Sequence, residues 1–381
     1  MNSKNRLAYV TYQSFPADTA NSLQTITNII ELTRLGVNVE LVFPERDITC
    51  SDNLEKLKEF YNFNDNFKIS MLKHNLPFKK IRIFEKFMFH ISHFLWSRQA
   101  VKYINNRKSH DVYLTRSDWI FFFLIKTGRN VIFECHQPSK IRKLVLKRCL
   151  KNENAKVIFL NKKLYLAYKK YIKFDKNSII LENGYRESLF DKKISKKENQ
   201  MIFVGQLLRF GSGRNLDFII SCFEDKSLNN FNLKIVGGPE EYIEIIKEKK
   251  GGMIPDNVTF LGRLDHNQTV QVMLESNIGI LINSSENIHS TKFTSPLKYF
   301  EYMAAELKIL AVDFESHREL PFSDNILFFD ENNKDSFIDA VKKLNNTKPI
   351  EKEIYNKFSL SKRSKKIIEF ARLEGLEPPT L

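Results

Sequence analysis

From residue 290 to 313 the chain reads Ser-Thr-Lys-Phe-Thr-Ser-Pro-Leu-Lys-Tyr-Phe-Glu-Tyr-Met-Ala-Ala-Glu-Leu-Lys-Ile-Leu-Ala-Val-Asp. Its residue types, at their spacing, could hold an anion. A loop, a helix start, a short helix and a buried strand are predicted. Ser295 suits the N-cap, and Pro296 suits the first helical position because its missing N–H would be an orphan anyway. Leu297, Phe300 and Ala304 fall on one stripe that should pack inward. Lys298 and Glu301, three apart, share another face. Free N–H groups near Thr294, Ser295 and Leu297 would make an anion seat, and Lys298 adds positive charge to it. Helical side chains lean toward the N-terminus, so Glu301 should point back at whatever sits there. A phosphate on the amides with a carboxylate one turn behind is a way to hold a nucleotide by its phosphates and ribose diol. An ordinary capped helix feeding a strand accounts for the same spacing without any ligand.

A second candidate starts at Met-Ile-Phe-Val-Gly205 and continues Gln-Leu-Leu-Arg-Phe-Gly-Ser-Gly-Arg-Asn-Leu-Asp217. A strand, a glycine-bearing loop carrying Arg209 and Arg214, and then a helix form a layout that cradles phosphate. A solvated surface loop is the plain alternative. Two further places are weaker. In Val131-Ile-Phe-Glu-Cys-His-Gln137, Glu134 and His136 alternate on one side of a strand near its end, where a histidine can be functional or merely hydrogen-bonded. In the loop from Gln13 to Ser22, Asn21 and Ser22 stand where ligands meet strand ends, though Asp18 or Asn21 could simply cap the following helix.

The elements that must position these residues alternate β and α. Strands are predicted near 6–12, 37–44, 67–72, 111–116, 130–136, 155–161 and 178–183, and again near 201–205, 233–238, 257–262, 278–283, 308–313 and 325–330. Many are continuous apolar runs, as parallel strands covered on both faces should be. Two such blocks argue for an α/β chain of two doubly wound, Rossmann-like domains. Leu23, Ile26 and Ile30 mark a first helix ending at Gly36, a good C-cap. Asn183-Gly184 reads as a turn, and the lysine-rich stretch 192–200 has linker character. The expected division is therefore 1–190, 191–350 and a C-terminal part 351–381, with a basic helix over 354–373 and a disordered tail.

The segment Ser-Pro-Leu-Lys-Tyr-Phe-Glu-Tyr-Met-Ala-Ala with the strand and Asp313 that follow resembles the donor-nucleotide segment of family-four glycosyltransferases. These are retaining enzymes of the two-Rossmann GT-B architecture, whose halves face a cleft and whose last helix crosses back to the first domain. The resemblance implies that Glu301 binds ribose and that Gly205, Thr294, Ser295, Leu297 and Lys298 line the diphosphate. It places Arg214 as the basic residue that neutralises the leaving group, with Arg209 a second candidate, and His136 as the histidine that reaches the donor sugar. Asn21 and Ser22 would lie on the acceptor side. No metal or other cofactor is implied, since a fixed guanidinium suits the charge that builds on the departing nucleotide. The chain departs from the pattern at Phe293, where the first of two glutamates is usual. It departs again at Glu306 and Lys308, where glycine and proline are usual. A non-glycine residue at a left-handed cap costs about 1 kcal/mol, so a different turn is expected there.

At 381 residues, 42% of them hydrophobic and 28% charged, the chain is globular and long enough for two cores. A net charge of +15 favours an anionic partner. The lysines are spread along the chain rather than clustered among stacking aromatics, which argues against nucleic acid. Over 76–108, Ile81, Phe84, Met88, Ile91 and Leu95 recur at helical steps. Lys79, Lys80, Arg82, Lys86 and Arg98 surround them. That helix either lies on an anionic membrane surface or covers the first sheet. Cys50, Cys135, Cys149 and Cys222 show no metal or CxxC spacing, consistent with a reduced cytosolic compartment. No signal peptide is read before the first strand, and no run approaches a membrane span. The partners expected are a nucleotide sugar, a glycan or lipid-linked acceptor and an anionic membrane surface. There are two rivals: a nucleotide-sugar epimerase, which would use the same donor seat but needs acid/base groups, and a catalytically silent partner protein, which would keep the fold and lose turnover and which Phe293 would favour.

Overall fold

The structure, a computed structural model, describes residues 6–77, 85–107, 110–209 and 212–371. It divides into one unit of Met1–Leu181 with Leu360–Leu381 and another of Glu182–Ser359. The chain thus passes to the second unit ahead of the lysine-rich stretch, where boundaries at 190 and 350 were expected. Lys197 N donates to Glu275 O, and Lys196 Nζ donates to the carbonyls of Ser276 and Ala305, so that stretch is tied to the second unit.

All thirteen predicted strands are present. In the first unit they are β1 (Arg6–Val10), β2 (Asn38–Glu45), β3 (Lys68–Lys73), β4 (Val112–Thr115), β5 (Val131–Cys135), β6 (Ala155–Phe159) and β7 (Ser178–Ile180). They form one sheet in the order β3-β2-β1-β4-β5-β6-β7, parallel throughout. Leu7 is paired with Val39 on one side and Val112 on the other, so β1 is central. The order reverses between β1 and β4, the switch point at which open α/β sheets bind ligands.

The helix Ala20–Arg34 follows β1. Its cap is Thr19, whose Oγ1 accepts from Ser22 N, rather than Asp18 or Asn21. It ends as expected: Gly36 takes φ +86°, a conformation that suits glycine. Ile26, Ile29 and Ile30 share a core with Ile367, Ile368 and Ala371 of the helix Leu360–Ala371. Fully burying such side chains stabilises by roughly 1.5–3 kcal/mol each, which is enough to hold the C-terminal helix in the first unit.

The long helix Glu85–Arg107 differs from expectation. Its buried face carries Ser92, His93, Trp96, Ser97 and Ala100, whereas Phe87 and Leu95 are 64% and 46% exposed. Polar partners explain the rotation: Ser92 Oγ bonds Tyr12 Oη and donates to Leu76 O, and His93 Nε2 bonds Ser117 Oγ. The predicted members Lys79, Lys80, Ile81, Arg82 and Phe84 lie outside the described residues, as does the tail beyond Ala371.

In the second unit β8 (Gln200–Val204), β9 (Asn232–Val236), β10 (Val258–Gly262), β11 (Ile278–Leu281), β12 (Lys308–Val312) and β13 (Ile326–Phe329) make a parallel sheet ordered β10-β9-β8-β11-β12-β13. Met201 and Phe203 enter one core and Ile202 and Val204 the other, the alternation of a strand covered on both faces. Here the switch point lies between β8 and β11.

The turn after the helix Leu297–Ala304 corrects another expectation. Glu306 does adopt the left-handed conformation, with φ 53°. Amides of Ala305, Glu306 and Leu307 satisfy the carbonyls of Glu301, Met303 and Tyr302, and Lys196 Nζ donates to Ala305 O. Those bonds close the helix end and offset the backbone cost of a residue with a Cβ.

Candidate functional site

At the switch point of the second sheet, β8 and β11 pair only at Ile278 with Met201 and Gly279 with Ile202, and then part. Tyr302 fills the gap. Its Oη accepts from Val204 N at 3.0 Å and stands 3.4 and 3.5 Å from the carbonyls of Ile202 and Ile280. The ring has room because β11 carries Gly279, where a Cβ would fall 2.5 Å from Tyr302 Cδ2. Burial raises the phenol pKa, and the same phenol feels both Glu301 and Arg214. Two residues nominated from separate stretches of sequence therefore act on one buried group.

Beyond Val204 the carboxyl ends of β8, β9 and β10 are laced by backbone. Gly205 N donates to Val236 O, Leu207 N to Gly238 O, and Gly237 N to Gly262 O. A Cβ on Gly237 would lie 1.8 Å from Gly205 O, so that approach requires glycine. The Arg214 guanidinium rests against Gly205, with Nη1 3.0 Å from where a Cβ would stand, and lies 6.0 Å from the Phe203 ring centre. Its amide donates to Leu207 O, which fixes the loop just before the helix Leu216–Cys222. Arg209 lies on a two-residue strand paired with Ser212–Gly213, and its side chain is outside the described residues.

The helix Leu297–Ala304 starts one residue later than predicted. Pro296 occupies the N-cap, with no side-chain cap hydrogen bond, and Ser295 precedes it. Ser295 is anchored through its carbonyl, which accepts from the buried Asn183 Nδ2 at 2.8 Å. Thr294 is buried, Leu297 is half-buried, and Phe300 and Ala304 pack inward as expected. Lys298 Nζ and Glu301 Oε2 form an ion pair, and Glu301 is 12% exposed. His266, the first residue of the helix His266–Glu275, feels the charges of the same pair. Burial lowers its pKa, Glu301 opposes the shift, and Lys298 and Arg186 add to it. Asn183, Arg186 and His266 were not nominated from the sequence. Asn183-Gly184 reads only as a turn, and no motif marks the other two.

In the first unit His136 stands just past β5. Its Nε2 is 3.2 Å from Glu134 Oε2, and burial, then Arg116, lower its pKa to about 4. Glu134 is 1% exposed; Arg116 Nε meets its Oε2 at 2.8 Å and Arg363 Nη2 meets its Oε1. Those guanidinia hold the carboxyl well below its usual range although burial alone would raise it. Ser22 is buried, with its hydroxyl bonded to Thr19 Oγ1 and donating to Ser14 O, whereas Asn21 is exposed.

Two parallel Rossmann-like sheets, with helices between their strands, are the architecture of the GT-B glycosyltransferases. Solved structures share it along nearly the whole chain. Sucrose-phosphate synthase (tll1590) from Thermosynechococcus elongatus superposes with a TM-score of 0.66 at 14% identity, covering 96% of this chain and 94% of that one. A glycosyltransferase from Rickettsia africae ESF-5 gives 0.66 at 14% identity, covering 98% and 100%. Anabaena Alr3699/HepE in complex with UDP gives 0.63 at 10%, covering 96% and 98%. Residues 185–364, nearly all of the second unit, match the family model described as Glycosyl transferases group 1. No curated protein matches the sequence. Fold and segment match together support a glycosyltransferase of GT-B type.

Proposed function

We propose that the protein is a retaining, metal-independent glycosyltransferase of family-four type, which moves a sugar from a nucleoside-diphosphate sugar to an acceptor hydroxyl. The observation that carries this reading is that the Arg214 guanidinium, resting against Gly205 at the end of β8, and Glu301 both act on the Tyr302 phenol, which bonds Val204 N at the switch point of the second sheet. Arg214 supplies a fixed positive charge for the diphosphate as it leaves, and the amides around Thr294, Ser295 and Leu297, with Lys298, take its oxygens. Glu301, pointing back along its helix, accepts from the ribose diol, and Lys298 is its partner until then. His136 is the sugar contact, held neutral so that it can hydrogen-bond without adding charge. HepE, a neighbour in fold, is described with bound UDP-glucose, which favours a uridine donor among those to try first. The acceptor is a surface-polysaccharide or lipid-linked precursor. Basic surface attracts the protein to an anionic membrane from the cytoplasmic side, and Asn21 lies on the acceptor side.

Calorimetry with UDP, GDP and ADP tests the donor seat, and at least one should bind. Glu301→Ala should weaken that binding by about 10–100-fold, the loss of charge-assisted hydrogen bonds worth roughly 1.5–3 kcal/mol. Unchanged affinity in a folded variant would sink the ribose role, and no binding by the wild-type chain would sink the proposal. Turnover of a bound donor only when acceptor is present separates a transferase from an epimerase or a silent partner.

A further inference from the structure

The helix Leu360–Ala371 is reached only after the chain has built the whole second unit, yet it places a guanidinium inside the first. Arg363 is 2% exposed and its Nη2 meets Glu134 Oε1, across 229 residues of sequence. The other oxygen of that carboxylate is shared by Arg116 Nε and the His136 ring. Glu134 is thereby gripped from two sides. Arg116 enters from the end of β4, Arg363 from the C-terminal helix, and His136 from the end of the strand that carries Glu134 itself. The Tyr9 phenol of β1 completes the surroundings and feels Arg116, Glu134 and Arg363.

We propose that Arg363 is a positioning residue for His136, acting through Glu134, and that glycosyl transfer depends on the C-terminal helix for this reason. A carboxylate with one oxygen fixed by Arg363 can turn neither toward Arg116 alone nor away from the ring. The His136 Nε2 stands 3.2 Å from Glu134 Oε2 without the alignment of a hydrogen bond, so the carboxylate acts on the ring through its charge and the space it fills. Glu134 thus fixes where the ring stands and the field it feels, in the way outer partners orient functional histidines elsewhere. Arg363 also adds positive charge that opposes protonation of the ring, alongside Arg116 and against Glu134. The proposal rests on the reading of His136 as the sugar contact.

The test compares the full-length wild-type chain with Arg363→Gln by nuclear magnetic resonance titration of ring-labelled histidine and by turnover against pH. His136 should titrate near pH 4 in the wild type, and at higher pH in the variant. kcat should fall at least 10-fold, with its acid limb displaced in the same direction, while the affinity for nucleoside diphosphate stays within 2-fold. A purely structural role would lower the melting temperature and leave the ring titration and acid limb of the folded fraction where they were. That result overturns the proposal. If Arg363→Gln does not fold, Arg363→Met, which keeps an apolar stem in the same space, carries the same readings. Full turnover by His136→Ala would instead overturn the sugar-contact reading. The titration would still report whether Arg363 governs the ring.

Discussion

Replacing Tyr302 with Phe would take a single hydroxyl from the interior of the second unit, yet it should be felt at two levels. The Val204 amide would lose its acceptor in a place water does not reach. An unsatisfied buried donor costs about 1–3 kcal/mol, so the urea midpoint of Tyr302→Phe should fall accordingly. The carboxyl ends of β8 and β11 would also lose the group that spans them where their own pairing stops. The variant should then bind nucleoside diphosphate more weakly than its remaining stability explains. A midpoint equal to wild type would show that the phenol is dispensable. Tyr302 lies in the very stretch that resembles the donor segment, and its role was still not legible there. Tyr302 lies off the Leu297, Phe300 and Ala304 stripe and carries no signal of its own, and only the paired strands show what its oxygen touches. Glu301 and Lys298 were legible because their spacing along one helix is local. Arg363 was not, because its partner is more than half the chain away.

Among elements, strands were read most fully. A parallel strand covered on both sides tends to an unbroken apolar run, and many of the thirteen announce themselves in that way. Helix starts were read less well, because several polar residues in a row can each cap. Asp18, Thr19 and Asn21 all have suitable oxygens, and the choice falls on Thr19 through the approach of Ser22 N, a matter of loop path. Thr19→Ala should therefore lower stability by about 1 kcal/mol, and a thermal melt equal to wild type would contradict the assignment. The helix Glu85–Arg107 is the clearest misreading. Its apolar stripe pointed to Leu95 and its neighbours, but Ser92 and His93 turn inward because Tyr12, His74 and Ser117 supply hydrogen bonds there. Periodicity ranks side chains by greasiness, and it is blind to polar partners drawn from distant loops.

At the scale of the molecule, the first unit holds two buried imidazoles, His74 and His93, and a half-buried one, His136. Burial, the largest cause in each, lowers His74 to about 4, His93 to about 3 and His136 to about 4. Each folded value lies below the ordinary one, near 6.5, so the unfolded chain binds more protons in between. The stability these rings contribute is fully present above pH 6.5 and is lost as pH falls toward 4, continuing to 3 for His93. The slope is roughly 1.4 kcal/mol per pH unit for each ring that has begun to titrate in the unfolded chain alone. Glu40, held to about 2 with His110 and Ser70 as partners, adds a further loss only below its ordinary value near 4.5. Both tryptophans, Trp96 and Trp119, belong to the first unit, so their fluorescence reports its unfolding selectively. The urea midpoint by that signal should drop steadily from pH 7 to pH 5, and a flat response would refute it.

The same unit is assembled from the two ends of the polypeptide. A ribosome making this chain releases residues up to Leu181 early, with Glu134 already formed but its guanidinium from the last helix not yet translated. The second unit, continuous from Glu182 to Ser359, is finished first, although it starts later. Birth order and completion order are therefore inverted. A message cut short before codon 360 would yield a second unit that is whole beside a first unit that still lacks its closing helix.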